Sequence, residues 1–282
     1  MKVIITGAGG LVGGCLARRL GLEHEVLAPR RAELDVTDAG AVGRFIEEAR
    51  PQLVVNCAVL GVDECERDPA AARAVNAEAP RSLAAAAASV RAEFLHFSTN
   101  YVFDGEGREP YDERDEPRPV NVYGRTKKEG ERAAFEANPR SYVVRTSWVF
   151  GAGKESFLST AHRELAAGRS VRAISDTWAS VTYVEDLAAR VEEIVRRGRH
   201  GLYHVVNEGV CTYEDFVREA ARLAGLVEEE AARLVETITE SQVQRPARRP
   251  RHSPLRCKTS AELGLPPLRH WQAALAAYVS QT

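Results

Sequence analysis

Short, continuous runs of apolar residues alternate along the first half of the chain with stretches in which apolar positions recur at helical spacing. The runs with the length of strands are KVIIT, HEVLA, QLVVN, AEFLHFST and SYVVRTSWVF. Strands that are apolar throughout are typical of parallel sheets covered by helices on both faces. The segments between them, such as LVGGCLARRLG and AVGRFIEEARP, have helical spacing. We therefore predict an α/β fold with a Rossmann-type, doubly wound parallel sheet.

The pattern loosens after about residue 150. Shorter apolar segments, VRAI and GLYHVV, mix with helical ones, and the loop QRPARRPRHSP precedes a final helix that we expect from about Leu268. We therefore predict a Rossmann domain over residues 1–150, with a contribution from about 171–206, and a smaller C-terminal α/β lobe over most of residues 151–282. The smaller lobe would bind the substrate.

Composition narrows the classes of function. The 282 residues carry a net charge of −2, with 28% charged and 44% hydrophobic residues, so binding to nucleic acid or to a membrane surface is not favoured. The apolar runs are too short to span a membrane. The five cysteines lack C-x-x-C spacing and the seven histidines lack paired spacing, which indicates reduced thiols and argues against a metal centre. We expect a cytoplasmic protein, and a homodimer is the one protein partner that we consider.

A glycine-rich turn follows the first strand. In TGAGGLVG, Gly7, Gly10 and Gly13 stand between that strand and the first helix, with Leu11 and Val12 inside the motif. Glycines at this junction let the backbone approach a pyrophosphate at the positive end of a helix. Ordinary loops also collect glycine, but the strand–turn–helix context favours a dinucleotide site that includes these five residues.

The end of the second strand bears on which dinucleotide binds. NAD-preferring sites place an acidic residue there, whereas arginine accommodates the extra phosphate of NADP. Here LAPRR places Arg30 and Arg31 before the first acid, Glu33. We therefore expect NADP(H), with NAD(H) as the second choice. Asp35 and Val36 follow and could flank an adenine, and the same segment could also cap the next helix.

Tyr123 and Lys127 form the pattern Y-x-x-x-K at the start of a predicted helix, in NVYGRTKKEGE. Residues four apart on a helix project from the same face, so the ammonium can lie near the phenol. A nearby cation favours the phenolate and lowers a phenol pKa that is otherwise near ~10. Lysine can also hydrogen-bond a cofactor ribose, so both residues are candidates for catalysis and for cofactor binding. The alternative is an exposed lysine beside a structural tyrosine.

The fourth strand ends in FSTNYVFDG, with Ser98 and Thr99 at the carboxyl end, where parallel sheets bind ligands. A hydroxyl there can hydrogen-bond a substrate carbonyl and complete a set with Tyr123 and Lys127. Capping of a turn is the ordinary alternative for such a pair.

With the glycine turn, Thr99, Tyr123 and Lys127, the chain resembles the extended short-chain dehydrogenase/reductase family, and more narrowly its dTDP-4-dehydrorhamnose reductases. The closer likeness runs in order through VNCAVLGVDECERDP, FSTNYVFDG, NVYGRTKKEGE, VVRTSWVFG, YVEDLA, GLYHV and RPARRP. It implies reduction of a 4-keto-6-deoxy nucleotide sugar, with hydride passing from NADPH or NADH to C4. It also implies that Tyr123 gives its proton to the developing alkoxide. Lys127 would position the ribose and lower the Tyr123 pKa, and Thr99 would orient the carbonyl.

The same likeness extends to cofactor and substrate contacts. Ala58, Val59 and Leu60 would line the cofactor. Trp148 would stack against the sugar or base, although a strand-end Trp ordinarily belongs to the core, and the arginines of ARRPR would face a pyrophosphate. Asn100 is a substrate-binding candidate, but it stands where the family usually has Asp and lacks that charge. Val59 and Leu60 also differ from the small or aromatic run usual in the family, so both departures bear on which sugar binds.

Two other classes of function stay open. Nucleotide-sugar epimerases share this fold and retain their cofactor, and Arg30 and Arg31 argue against tight NAD retention. The related dehydratases use Thr-Asp-Glu where this chain has Thr99, Asn100 and Tyr101, and this argues against dehydration because neither Asn nor the Tyr phenol easily replaces that carboxylate pair. A binding module is the second class, since the regulatory subunit of methionine adenosyltransferase resembles the same family and binds NADP without an established reductase role.

Overall fold

The computed structural model describes residues 1–281, in which strands and helices alternate. The strands are β1 (Lys2–Thr6), β2 (Glu25–Leu27), β3 (Leu53–Asn56), β4 (Glu93–Thr99), β5 (Ser141–Thr146), β6 (Val149–Phe150), β7 (Val171–Ile174), β8 (Trp178–Ala179), β9 (Thr182–Tyr183), β10 (Gly201–His204), β11 (Asn207–Glu208), β12 (Cys211–Thr212), β13 (Val235–Ile238) and β14 (Leu268–His270). The α-helices are α1 (Leu11–Leu20), α2 (Ala39–Ala49), α3 (Val62–Arg67), α4 (Pro69–Arg73), α5 (Ala79–Ser89), α6 (Val122–Ala137), α7 (Phe157–Ala166), α8 (Val184–Arg197), α9 (Tyr213–Leu223), α10 (Glu228–Leu234), α11 (Lys258–Glu262) and α12 (Trp271–Val279). A π-helical turn, Ala74–Glu78, joins α4 to α5, and 3₁₀ turns cover Asn100–Val102 and Glu240–Gln242.

Six strands form one sheet in the order β10-β5-β4-β3-β1-β2, and every neighbouring pair is parallel. The predicted doubly wound parallel sheet is therefore confirmed. The order reverses beside β1, because β2 lies on one side of it and β3 on the other. The crevice at the carboxyl ends of β1 and β3 is thus the topological switch point, where sheets of this kind bind ligands.

The apolar strands pack on both faces of the sheet. In β1, Val3 and Ile5 belong to one buried cluster with Leu16 of α1, whereas Ile4 belongs to the other cluster with Val42 of α2. Helices cover both faces, which is why these strands need no alternation between apolar and polar residues. None of the helices in residues 1–281 is long and apolar enough to cross a membrane.

The second half of the chain forms shorter pairings. These are β7 with β13, β8 with β12, β6 with β9 and β11 with β14. Between them β10 returns to the main sheet beside β5. The division into 1–150, 171–206 and 151–282 stays a prediction.

Two expectations about elements were wrong. The final helix begins at Trp271, because Leu268–His270 pairs with β11 as β14 and the His270 side chain accepts the Gln272 N–H at the start of the helix. The run SYVVRTSWVF is two strands, β5 and β6. It is interrupted at Trp148, whose φ of +39° lies in the left-handed region that breaks a strand.

Candidate active site

The glycine turn presses against the chain that follows β3. Gly7 has a φ of +72°, and a Cβ on it would lie 2.5 Å from the backbone nitrogen of Ala58. A Cβ on Gly13 would lie 2.5 Å from the Gly7 carbonyl oxygen. Neither position can hold a larger residue without moving backbone. No described side chain caps α1 at Gly10, so the first N–H groups of that helix can meet an anionic ligand.

A cavity of about 430 Å³ lies along this turn. Eight of the predicted cofactor residues line it: Gly7, Gly10, Arg30, Asp35, Val36, Ala58, Val59 and Leu60. Leu11 and Val12 pack on the hydrophobic core instead, and Gly13 supports the turn from behind. Lys154, from the loop after β6, adds an ammonium that no sequence pattern indicated. The narrow glycine turn fits a dinucleotide phosphate, as does the cationic rim formed by Arg30, Arg31 and Lys154.

Two cations of this rim, Arg30 and Arg31, come from the segment after β2. The side chain of Arg31 is 84% exposed and lies 3.4 Å from the Asp35 carboxylate. Asp35 accepts hydrogen bonds from the N–H and the hydroxyl of Thr37, which lower its carboxyl pKa, and Arg31 lowers it further. Asp38 caps α2 by accepting the Ala41 N–H. The segment therefore serves as a helix entry and also presents an exposed guanidinium to the cavity.

The first turn of α6 is fixed on two sides. The Asn121 side chain accepts the Gly124 N–H at 2.7 Å and donates to the Arg248 carbonyl at 2.7 Å. A Cβ on Gly124 would lie 2.0 Å from the Tyr101 carbonyl oxygen. Only glycine lets the helix approach so closely, and this approach brings the Tyr123 ring edge-on to the Tyr101 ring, with 5.9 Å between their centroids.

Tyr123 and Thr99 meet at the end of β4. Burial raises the pKa of the Tyr123 phenol, and a hydrogen bond with the Thr99 hydroxyl lowers it in part. The net direction is upward, opposite to that expected from a neighbouring lysine alone, because desolvation of the phenolate dominates. The phenol is therefore protonated at neutral pH and available as a proton donor.

Lys127 lies on the same face of α6, one turn further on, and is 2% exposed. Its Nζ donates to the Phe97 carbonyl at 2.5 Å and lies 3.1 Å from His96 Nε2. Burial lowers the pKa of Lys127 to about 8, and the carboxylate of Glu131 acts in the opposite direction. The ammonium is thus held against β4, where it can gain or lose its proton near neutral pH.

Glu131 extends the same buried face by another turn. It receives two hydrogen bonds from the Arg145 guanidinium, at 2.8 and 2.6 Å, and a third from the Ser98 hydroxyl. Arg145 and Glu131 are both nearly buried. Ser98, which the sequence placed beside Thr99 as a possible ligand group, therefore faces this ion pair.

Asn100 connects the end of β4 to Ser253, in the segment between β13 and α11. Its Nδ2 donates to the Ser253 hydroxyl at 2.8 Å and lies 3.4 Å from the Ser253 carbonyl, while its Oδ1 accepts from the Thr99 hydroxyl at 3.2 Å. A carboxylate could not donate to that carbonyl. The amide is therefore matched to Ser253, and it orients the Thr99 hydroxyl without adding a charge.

Aromatic and cationic side chains from residues 148–249 lie near this region. Trp148 is partly buried, and its ring stacks on Tyr213 with 3.7 Å between centroids. Tyr213 and Arg245 line a cavity of about 360 Å³. Arg249 makes a bidentate ion pair with Asp63, at 2.6 and 2.8 Å, so one arginine of ARRPR is bound to α3.

The residues that sequence reasoning missed are those that connect distant segments. Asp63 of α3 pairs with Arg249, and His96 lies beneath Lys127. In the sequence, His96 shows as a polar residue in an apolar strand, whereas nothing singles out Asp63 among the neighbouring acids of VNCAVLGVDECERDP. Within residues 1–281 no group of His, Cys, Asp or Glu is placed to hold a metal ion.

Comparison with known proteins agrees with this geometry. The family model described as RmlD substrate binding domain matches residues 1–282. A dTDP-4-dehydrorhamnose reductase of Mycolicibacterium smegmatis is 41% identical over 279 residues, covering 97% of this chain and 84% of that protein. A probable dTDP-4,6-dihydroxy-2-methyloxan-3-one 4-ketoreductase of Streptomyces antibioticus is 40% identical over 279 residues, covering 98% and 93%. The crystal structure of a Bacillus anthracis dTDP-4-dehydrorhamnose reductase in complex with NADP superposes with a TM-score of 0.93 at 30% identity, covering 100% of this chain and 99% of that one. The matches extend over nearly the whole chain, as the resemblance of its segments predicted.

Proposed function

Because the chain belongs to the RmlD substrate-binding-domain family, we propose that it is an NADPH-dependent reductase of a 4-keto-6-deoxy nucleotide sugar. The proposed reaction converts dTDP-4-dehydro-L-rhamnose to dTDP-L-rhamnose. The observation that carries this proposal is the meeting of Thr99 and Tyr123 at the carboxyl end of β4, on the sheet edge that also holds the glycine turn. A ketone held there would have a proton donor and a cofactor site on the same edge.

The roles of the protein's own residues follow from their chemistry. NADPH, when bound, supplies the hydride for C4 of the sugar. Tyr123 is protonated at neutral pH and would give its phenol proton to the oxygen at C4, with the Thr99 hydroxyl orienting that oxygen. Lys127 in its charged form would favour the phenolate left behind and hold the cofactor ribose. Asn100, held by its hydrogen bond to Ser253, would keep the Thr99 hydroxyl in place.

The cavity along the glycine turn supports NADPH over NADH. Gly7, Gly10 and Gly13 would let the pyrophosphate approach the start of α1, and Arg30 and Arg31 would meet the extra phosphate. The remaining contacts would come from Asp35, Val36, Ala58, Val59 and Leu60, and Leu11 and Val12 would contribute through their backbone N–H groups at the start of α1. The Bacillus anthracis relative was crystallised with NADP, which supports this choice of cofactor.

The substrate half of the site would lie toward the C-terminal lobe. Trp148 and Tyr213 offer flat apolar surfaces for a base or sugar, and Arg245, which lines the same cavity as Tyr213, offers a cation for a diphosphate. A cytoplasmic location belongs to the same proposal, because the five cysteines are all free thiols. The homodimer stays a prediction, which the mass of the protein in solution would test.

The decisive experiment mixes the purified protein with NADPH and dTDP-4-dehydro-L-rhamnose and follows the loss of nicotinamide absorbance. We expect oxidation that Tyr123→Phe slows by about 10²- to 10⁴-fold, the range for a positioned proton donor. The matched control is Tyr203→Phe on β10, which removes a buried phenol that lies outside the site and donates to the Arg199 carbonyl.

Each other outcome identifies an alternative. Protein that purifies with bound cofactor and interconverts sugars without net NADPH loss would be an epimerase. Protein that binds NADPH but does not oxidise it, whichever 4-keto sugar is added, would be a binding module. Oxidation with a different dTDP-4-keto-6-deoxy sugar would keep the reductase class and replace the substrate.

A further inference from the structure

Three buried polar side chains form a row across the main sheet. Thr6 of β1 is the register partner of Asn56 of β3, and Asn56 is the register partner of His96 of β4. They are 2%, 1% and 0% exposed, in strands that are otherwise apolar. Parallel pairing therefore places a hydroxyl, an amide and an imidazole side by side beneath the crevice.

The orientation of the Asn56 amide is fixed by its neighbours. Its Oδ1 accepts the backbone N–H of Ala58 at 3.1 Å and the Thr6 hydroxyl at 2.8 Å. A backbone N–H can only donate, so this atom must be the oxygen and the other must be the NH₂ group. That NH₂ group lies 3.1 Å from His96 Nδ1. Nδ1 must then accept, and the proton of the neutral imidazole sits on Nε2.

The protonated nitrogen of His96 faces Lys127. Nε2 lies 3.1 Å from Nζ, while Nζ also donates to the Phe97 carbonyl. An ammonium at this position would set two donors against each other, whereas a neutral amine can accept the Nε2 proton and still donate to Phe97. We propose that His96, fixed as the Nε2–H tautomer by Asn56, donates to Lys127 and is a positioning residue that favours the neutral amine of that lysine.

The other groups around Lys127 differ in whether they favour its ammonium or its neutral amine. Glu131 on its own helix favours the ammonium, but Arg145 and Ser98 already occupy that carboxylate. Cys57, after β3, and Cys65, on α3, are the remaining titratable neighbours. Burial raises the pKa of both thiols, so they are uncharged at neutral pH. His96 itself is held neutral, because burial and then Lys127 lower its pKa well below its ordinary value.

This inference deepens the proposed reaction and rests on it where activity is concerned. Lys127 would act on Tyr123 and the ribose in its charged form, so His96 would determine how readily Lys127 loses that charge as pH rises. The alkaline limit of the reaction would then depend on a residue that touches neither substrate nor cofactor.

The first test reads the tautomer directly in the wild-type, cofactor-free protein. Histidine labelled with ¹⁵N gives different nitrogen shifts for the Nε2–H and Nδ1–H forms, and His96→Leu assigns the resonance among the seven histidines. We expect Nε2–H. Asn56→Asp is the matched variant: it puts an acceptor opposite Nδ1 and should move the proton there. An Nδ1–H imidazole in wild type would overturn the proposal.

The second test follows the titration of Lys127 by ¹³Cε-labelled lysine, one of only five in the chain. Loss of the Nε2–H donor in His96→Leu should raise the midpoint by about 0.4 to 1 pH unit, the worth of one hydrogen bond. If His96 instead accepts from the ammonium, the midpoint must fall, and that result would refute us. His96→Gln, which keeps an N–H donor, should return the midpoint toward wild type.

Neither measurement needs turnover, so the inference and the proposed function can fail separately. With activity, the alkaline limb of the NADPH oxidation profile should move to higher pH in His96→Leu. If the NMR results are as expected but the protein shows no reductase activity, the proposed reaction is wrong and the role of His96 still stands.

Discussion

Replacing Lys127 by Met should change how the stability of the protein depends on pH. Methionine has nearly the same length and no charge, so it occupies the buried position without the titrating group. In the folded protein the pKa of Lys127 is lowered from 10.5 to about 8, with burial as the main cause. Between these values an unfolded chain holds a proton that the folded protein has released.

The sign and size follow from proton linkage. Below pH 8 Lys127 is charged in both states and its burial costs the most. As pH rises toward 10.5, Lys127 loses its proton in the folded state before it does in the unfolded state, so the free energy of unfolding rises. The whole shift corresponds to about 3 kcal/mol, of which about 2 kcal/mol falls between pH 7 and pH 9.5. The lost hydrogen bond to the Phe97 carbonyl weakens Lys127→Met at both pH values alike and cancels in the comparison.

Urea unfolding of the cofactor-free protein at pH 7 and pH 9.5 measures this difference. Wild type should gain about 2 kcal/mol relative to Lys127→Met between the two pH values. Lys128→Met is the control, because the exposed Lys128 donates only to the Pro117 carbonyl and should follow wild type. Equal pH dependence in wild type and Lys127→Met would refute the claim that this lysine is charged only at a cost.

Three further predictions concern the surroundings of the site. Glu131→Gln should lower the free energy of unfolding by about 3–5 kcal/mol, measured in urea at pH 7, because the buried Arg145 guanidinium loses its carboxylate; a loss under 1 kcal/mol would mean that water reaches the pair. Gly124→Ala should destabilise by about 1–3 kcal/mol, because the new Cβ would meet the Tyr101 carbonyl, although alanine in a helix ordinarily stabilises; a rise in melting temperature would contradict the close approach. Arg31→Ala should raise KM for NADPH several-fold and leave KM for NADH nearly unchanged, and a parallel change in both would argue against a phosphate contact.

The sheet and the glycine turn could be predicted from the sequence because both depend on local pattern. Continuous apolar runs mark strands that are buried on two faces, and a glycine cluster between strand and helix has one well-known geometry. The interruption at Trp148 could not be predicted, since its positive φ is supported by a stack on Tyr213, 65 positions away in the sequence. Local pattern carries no information about that partner.

The candidate site divides in the same way. That Tyr123 and Lys127 share one helix face could be predicted, because their spacing is a property of one helix. The pair of Arg249 and Asp63 joins residues 186 positions apart, and only tertiary packing brings them together. His96 is intermediate: a lone polar residue in AEFLHFST is visible in the sequence, but its meaning depends on the registers of β1, β3 and β4.

The spacing of Tyr123 and Lys127 also follows from the strand they face. Four residues on a helix rise about 6 Å, and two residues on a strand span about 6.6 Å. Tyr123 meets Thr99, and Lys127 meets the carbonyl of Phe97, two residues earlier on β4. A lysine one position away would be rotated by about 100° around α6, and Lys128 does point outward, to the Pro117 carbonyl. Because four helical residues and two strand residues span similar distances, the fourth residue after Tyr123 places an amine on the helix face that carries the phenol, while β4 beside it supplies the Thr99 hydroxyl and the Phe97 carbonyl.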